Sequence, residues 1–398
     1  MSHLSSQDVI GTEQVLGVIR HSLWHSGACK ADSAVFDELC SHTIEALAAP
    51  VLAELSLPDA LYQQWMKRIV RTVAFYHICK QLQDSLPVTV PYAILKGTSS
   101  AQYYPYPEYR VLGDIDIITR REDFPAACEQ LIQAGFEEKD ADKENIRHRK
   151  FIKWNIMVEV HKTFSYTNDI QKAEYLDNLI FEGINPSHIL EDSLNGLVLI
   201  AHISQHLDEG LGLRQIIDWM MFVNRCLPDQ AWPAFQDMLR GSGLENLALV
   251  TTRMCEIYLG LPGRNWCAGA DEDLCRKLFD YVMSCGNFGS KWSYEETIGV
   301  RTLTHYGSPL HAVKLLQIYG LKNWKAARKH AFLRPFAWLY QAGRYLRRGM
   351  KRSNAISRIQ EDRRVARQRK ELFDALGVKQ NAQGVIVYRD GHYVRDIG

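Results

Sequence analysis

Two acids separated by a single residue, Asp114 and Asp116, lie in the tract Gly113-Asp114-Ile115-Asp116-Ile117-Ile118. The tract reads as a strand, and strand side chains alternate between faces. Both carboxylates therefore project to one side, while Ile115 and Ile117 point to the other. Two carboxylates so close on an apolar strand repel each other, and a bound divalent cation is the obvious compensation. Oxygen donors suit Mg²⁺ (or Mn²⁺), which takes one or two carboxylates together with nucleotide phosphates. A third acid has the same setting in Met157-Val158-Glu159-Val160-His161, where Glu159 shares a strand face with Met157 and His161. If this strand lies beside the first, Asp114, Asp116 and Glu159 converge into a metal set suited to phosphoryl transfer. Such a set can hold two metals, and Glu159 can also help deprotonate an acceptor hydroxyl.

Upstream, the short apolar run Tyr92–Leu95 ends in Lys96-Gly97-Thr98-Ser99. Glycine lets backbone approach a phosphate closely, and the amides opening the next helix favour anions. The hydroxyls of Thr98 and Ser99 can add hydrogen bonds to a triphosphate, and Lys96 and Arg110 are candidate counter-charges.

Taken together, Leu95-Lys96-Gly97, Tyr104-Pro105, Arg110, Gly113-Asp114-Ile115-Asp116 and Val158-Glu159-Val160-His161 resemble the bacterial family called uncharacterised nucleotidyltransferases, within the DNA polymerase β-like superfamily. Gly97-Thr98 stands where that superfamily usually has Gly-Gly or Gly-Ser. The resemblance extends weakly through His202-x-x-x-His206, Arg214 and Asp218. It implies transfer of a nucleoside monophosphate from an NTP, ATP among the candidates, and leaves the acceptor open.

Several residues carry more than one reading. His202 and His206 sit i, i+4 on a helix, a spacing that can bind zinc, but the Glu of HExxH is missing and the metalloprotease reading fails. The expectation is one satisfied interior histidine and one facing the cleft. Arg214 and Asp218 are also i, i+4, so a helix-surface ion pair competes with positioning of nucleotide or acceptor. His161 is either a strand-end histidine or a site contact. Tyr103, Tyr104, Tyr106 and Tyr109 read as packing and loop anchoring, with base stacking as the alternative.

These residues need elements to position them. Residues 1–86 read as an N-terminal helical segment; Pro50 makes Val35–Leu55 either one kinked helix or two short ones. Residues 87–165 read as strand–helix–strand–helix–strand–strand, an α+β nucleotidyltransferase core with a mixed sheet. Its second helix has Pro125 in the first turn and Gly135 at its close, and its last two strands turn near Asn155. Residues 166–330 read as a larger helical domain. Residues 331–398 read as a basic helical tail ending in a hairpin around Asp390-Gly391.

The 398 residues carry a net charge of +1, which hides an asymmetry. Lys322–Lys370 holds 16 Lys and Arg against Glu361 and Asp362, a local charge of +14, leaving −13 for the rest. A segment of this kind faces an anionic partner: the protein's own acidic surface, nucleic acid or a membrane surface. Nine widely spaced cysteines without a CxxC pair indicate neither a zinc ribbon nor a disulfide framework. The start MSHLSSQDVIGTEQ lacks a basic region followed by an apolar run, and no stretch reaches the length of a membrane span. A cytoplasmic location is expected. The rival readings are a catalytically inactive nucleotide-binding scaffold and an RNA-modifying enzyme that uses the basic tail.

Overall fold

The computed structural model describes residues 6–27, 30–139, 147–164, 167, 169–292, 313, 316, 317, 319–321, 323–350, 355–378, 385–389 and 392–396. They fall into two compact units. The larger comprises Ser2–Lys291, Leu376–Val378 and Gly384–Gly398; the smaller is made of Trp292–Ala375 and Lys379–Gln383.

In the larger unit, helices α1 (Ser6–Trp24), α2 (Ser33–Ser41) and α3 (Asp59–Asp84) precede the sheet. Pro50 falls in a separate 3₁₀ helix, Glu45–Glu54, so Val35–Leu55 is two elements and not one kinked helix. The sheet contains β1 (Tyr92–Leu95), β2 (Asp114–Thr119), β3 (Glu137–Lys139), β4 (His148–Lys153) and β5 (Ile156–His161), in the order β1-β2-β5-β4-β3. Strands β2 and β5 are parallel and the other neighbours antiparallel, giving a mixed sheet. Trp154 and Asn155, with φ of 52° and 62°, make the tight turn between β4 and β5. The sequence reading does not anticipate β3. Glu137-Glu138-Lys139 has no apolar alternation and is held by its ladder to β4 and by Arg149 Nε donating to Glu138 Oε1 at 2.6 Å.

Strand parity then sets the two faces. Ile115, Ile117, Phe151, Val158 and Val160 form one core with Cys79 and Leu82 of α3 and with Ala127, Cys128 and Leu131 of α5 (Phe124–Gln133). The residues between them in sequence, acids included, are left for the opposite face.

A short helix, α4 (Gly97–Ala101), follows β1. Beyond the sheet come α6 (Ile170–Glu182), α7 (Asp192–His206), α8 (Leu213–Cys226), α9 (Trp232–Ser242), α10 (Glu245–Met254) and α11 (Glu272–Cys285). Buried tyrosines tie the sheet connections to these helices. Tyr103 Oη donates to Asp192 at 2.8 Å, and Asn195 Nδ2 donates to Tyr103 Oη at 2.8 Å and to the Ser99 carbonyl at 3.1 Å. Tyr103 and Tyr104 thus anchor the loop, whereas Tyr106 is exposed.

The C-terminal hairpin pairs β6 (Val385–Arg389) with β7 (His392–Asp396); its Asp390-Gly391 turn lies outside the described residues. It packs within the larger unit, where Tyr393 Oη donates to Asp177 Oδ2 of α6 at 2.6 Å. The smaller unit contains helices Lys325–Lys329, Ala337–Met350 and Ala355–Ala375, held in part by stacking of Trp324 on Tyr340. It exposes Phe332, Phe336 and Leu339. No helix among the described residues is long and apolar enough to cross a membrane.

Candidate active site

The register of the sheet brings the acids together. Asp116 lies opposite Glu159 across β2 and β5, and Glu159 lies opposite Lys150 across β5 and β4. One step along, His161 lies opposite His148. Donor oxygens of Asp114, Asp116 and Glu159 all fall within 4.8 Å of one another.

Asp116 is almost wholly buried and has two cationic or donor neighbours: Lys96 Nζ at 3.0 Å from Oδ2, and His161 Nε2, which donates to Oδ1 at 2.8 Å. Burial alone would raise its pKa, but Lys96 and His161 outweigh it and hold this carboxyl well below the usual range. Asp114 behaves oppositely. The neighbouring charge of Asp116, reinforced by burial, pushes it up to about 6. The strand therefore carries one firmly ionised carboxylate and one whose ionisation is resisted, and this second charge is what a cation would relieve. Burial lowers the pKa of the Lys96 ammonium, yet Asp116 and Asp114 together raise it above its ordinary value. An all-oxygen donor set under such repulsion fits a hard divalent ion.

Backbone geometry aims Lys96 at this pair. Lys96 closes β1 at φ 51°, ψ −146°, and Gly97 follows at φ 48°. Two successive left-handed residues turn the chain sharply, and the non-glycine one stores strain of about 1–3 kcal/mol. Thr98 and Ser99 are directed elsewhere. The Thr98 hydroxyl donates to Gln83 Oε1, the Ser99 hydroxyl is buried without a hydrogen-bond partner, and neither residue lines the adjoining cavity.

That cavity has a volume of about 330 Å³, and its lining includes Lys96, Gly97, Asp114, Asp116, Glu159 and His161. Helices α7 and α8 contribute His202, His206 and Arg214 to it. His202 and His206 both reach the cavity and are paired with each other, Nε2 to Nε2 at 2.7 Å, so they do not divide into one interior and one cleft residue. Burial drives both imidazoles towards the neutral form. His206 is held at about 3, with Lys96 adding to the effect, and His202 lies well below its ordinary value.

Both arginines line the cavity, but it is Arg110 that pairs with Asp218. Asp218 is bound by Arg110, with Nε donating to Oδ1 at 2.9 Å and Nη2 to Oδ2 at 2.6 Å, while Tyr104 Oη also donates to Oδ1 at 2.7 Å. Arg214 makes no helix-surface pair. It reaches the cavity, donates from Nη1 to the Val111 carbonyl at 3.4 Å and leaves buried Nε without a hydrogen-bond partner. Burial, then Arg110, lowers its pKa.

Some lining residues escape the sequence reading. His148 and Lys150 project with Glu159 because Phe151, between them and the turn, faces the core; their period-two spacing was the available signal. Lys150 Nζ lies 2.7 Å from Glu159 Oε1. Burial, then His161, pushes His148 down to about 4. Phe288 had no local signal beyond its flanking glycines. It sits at φ 52°, packs edge-on to His206 at 4.7 Å and lies 5.5 Å from the Arg214 guanidinium. Gly210 permits this approach: its φ is 112°, and a Cβ there would lie 2.2 Å from Gly289 N.

Searches of curated proteins and of solved structures return no match. A family model described as uncharacterised nucleotidyltransferase matches residues 32–260, which include the whole five-stranded sheet and helices α7 and α8. With more than half of its length matched, and with Asp114, Asp116 and Glu159 gathered on one sheet face within that region, the chain belongs to the uncharacterised nucleotidyltransferase family.

Proposed function

We propose that the protein transfers a nucleoside monophosphate from an NTP to an acceptor hydroxyl, releasing pyrophosphate. The observation that carries this reading is the convergence of Asp114, Asp116 and Glu159 beside a cavity walled by Lys96 and Arg214. Asp114 and Asp116 would hold Mg²⁺ (or Mn²⁺), with Glu159 completing the set. When bound, the ion would neutralise charge on the phosphates and leaving group.

The remaining tasks fall to the chain itself. Lys96 and Arg214 present positive charge to the phosphates, and Gly97 lets backbone approach them. Arg110 acts through Asp218, fixing the connection between β1 and β2. The acceptor oxygen attacks the α-phosphorus in line, its proton passing to Glu159 as the bond to the β-phosphate oxygen breaks. His202 and His206, uncharged and close to the phosphate side, supply hydrogen bonding without adding charge.

Asp116→Asn tests the proposal. With α-labelled NTP and a cell extract, the variant is expected to remain folded and to lose labelling of the acceptor. Labelling at the wild-type rate overturns the mechanism. Calorimetry with NTP and Mg²⁺ separates the inactive-scaffold alternative, which binds nucleotide and releases no pyrophosphate.

A further inference from the structure

Beside the all-oxygen set lies a second group of converging donors: His148, Glu159 and His161, again with one ligand atom from each within 4.8 Å of the others. The two oxygens of Glu159 are used differently. Oε1 is 2.7 Å from the Lys150 ammonium, whereas Oε2 lies 3.5 Å from His148 Nε2 and 3.5 Å from His161 Nε2. Ligands about 2.0–2.1 Å from a tetrahedral zinc ion are about 3.3 Å apart, so the observed separations need little adjustment. All three side chains line the cavity, and the antiparallel ladder of β4 and β5 holds the two histidines directly opposite each other.

We infer that His148 Nε2, His161 Nε2 and Glu159 Oε2 form a separate binding position for a zinc-class transition-metal ion, next to the oxygen set and sharing Glu159 with it. Two imidazoles and one carboxylate are poor ligands for Mg²⁺ and good ones for Zn²⁺ or Co²⁺. Occupancy exchanges one bond for another at His161. Its Nε2 proton, now donated to Asp116, moves to Nδ1 by way of solvent as the Nε2 lone pair binds the ion, and the Asp116 oxygen is freed. The position depends only on these side chains and not on the proposed transfer reaction.

The test therefore uses the full chain without nucleotide. Co²⁺ is titrated in the presence of excess Mg²⁺ and followed by its visible absorption, then displaced with Zn²⁺. Binding that survives Mg²⁺, weakens at least about tenfold in His148→Gln and stays within about twofold in Asp114→Asn supports the position. Lys150→Met, which releases Oε1 from its ammonium partner, is expected to tighten Co²⁺ binding and keeps the test decisive if the histidine variant misfolds. Co²⁺ displaced by equimolar Mg²⁺, binding lost in Asp114→Asn but not in His148→Gln, or an unchanged affinity in Lys150→Met would overturn it. Failure of NTP labelling, by contrast, would leave this result untouched.

Discussion

Arg110 and Asp218, 108 residues apart, meet in a two-pronged ion pair at 2.9 and 2.6 Å that solvent scarcely reaches. Tyr104 adds a third donor to the same carboxylate at 2.7 Å. The pair clamps the loop before β2 to helix α8, and it leaves Arg214, one turn earlier on α8, to face the cavity.

Arg110→Ala would strand a buried carboxylate. Loss of one partner of such a pair costs about 3–5 kcal/mol, and urea denaturation is expected to show an unfolding free energy lower by that amount. Arg110→Lys should recover only part of it, because an ammonium cannot donate along both prongs.

Arg214→Ala should act on ligand instead of fold. A charge-assisted hydrogen bond contributes about 1.5–3 kcal/mol, so NTP affinity is expected to fall about 10–100-fold. Stability should hold or rise, since burial already opposes this cation. Calorimetry with NTP, paired with a melting curve, checks both halves.

Stability should decline on acidification because of His202 and His206. Burial depresses both folded-state values, His206 to about 3, against an ordinary value of 6.5. A depressed histidine contributes stability that is present above about 6.5 and is lost as pH falls from there towards the folded value. The slope is up to about 1.4 kcal/mol per pH unit per histidine. Melting temperatures between pH 7 and 5 should fall less steeply in His206→Gln than in the wild type.

Tyr393→Phe removes the hydroxyl that donates to buried Asp177 at 2.6 Å. An unmade bond to a buried carboxylate costs about 1–3 kcal/mol. Because Asp177 also accepts from the Phe164 amide at 2.9 Å, the loss should appear as global destabilisation in denaturant. Proteolysis confined to the hairpin would instead mark it as an independent appendage.

Much of the sheet was legible because its signals are local. Period-two alternation marks Asp114–Ile118 and Met157–His161 without reference to anything distant, and Gly135 and Asn155 mark stops and turns by their own backbone preferences. The short strand Glu137–Lys139 was not legible, because its polar residues carry no alternation and its pairing comes from β4. Phe288 and the turn that carries it were equally hidden. Their place beside His206 follows from the close approach of Gly210 and Gly289, which no local pattern encodes.

The sequence by itself determined that Asp114 and Asp116 share one face and that Glu159 and His161 share another, since side-chain parity on a strand is a covalent consequence of the pleat. Only the tertiary structure decided that β2 and β5 lie side by side with Asp116 opposite Glu159. It also decided that Asp218 binds Arg110 and leaves Arg214 to the cavity. Those choices depend on which surfaces pack together across long stretches of chain, and spacing along the chain carries no record of them.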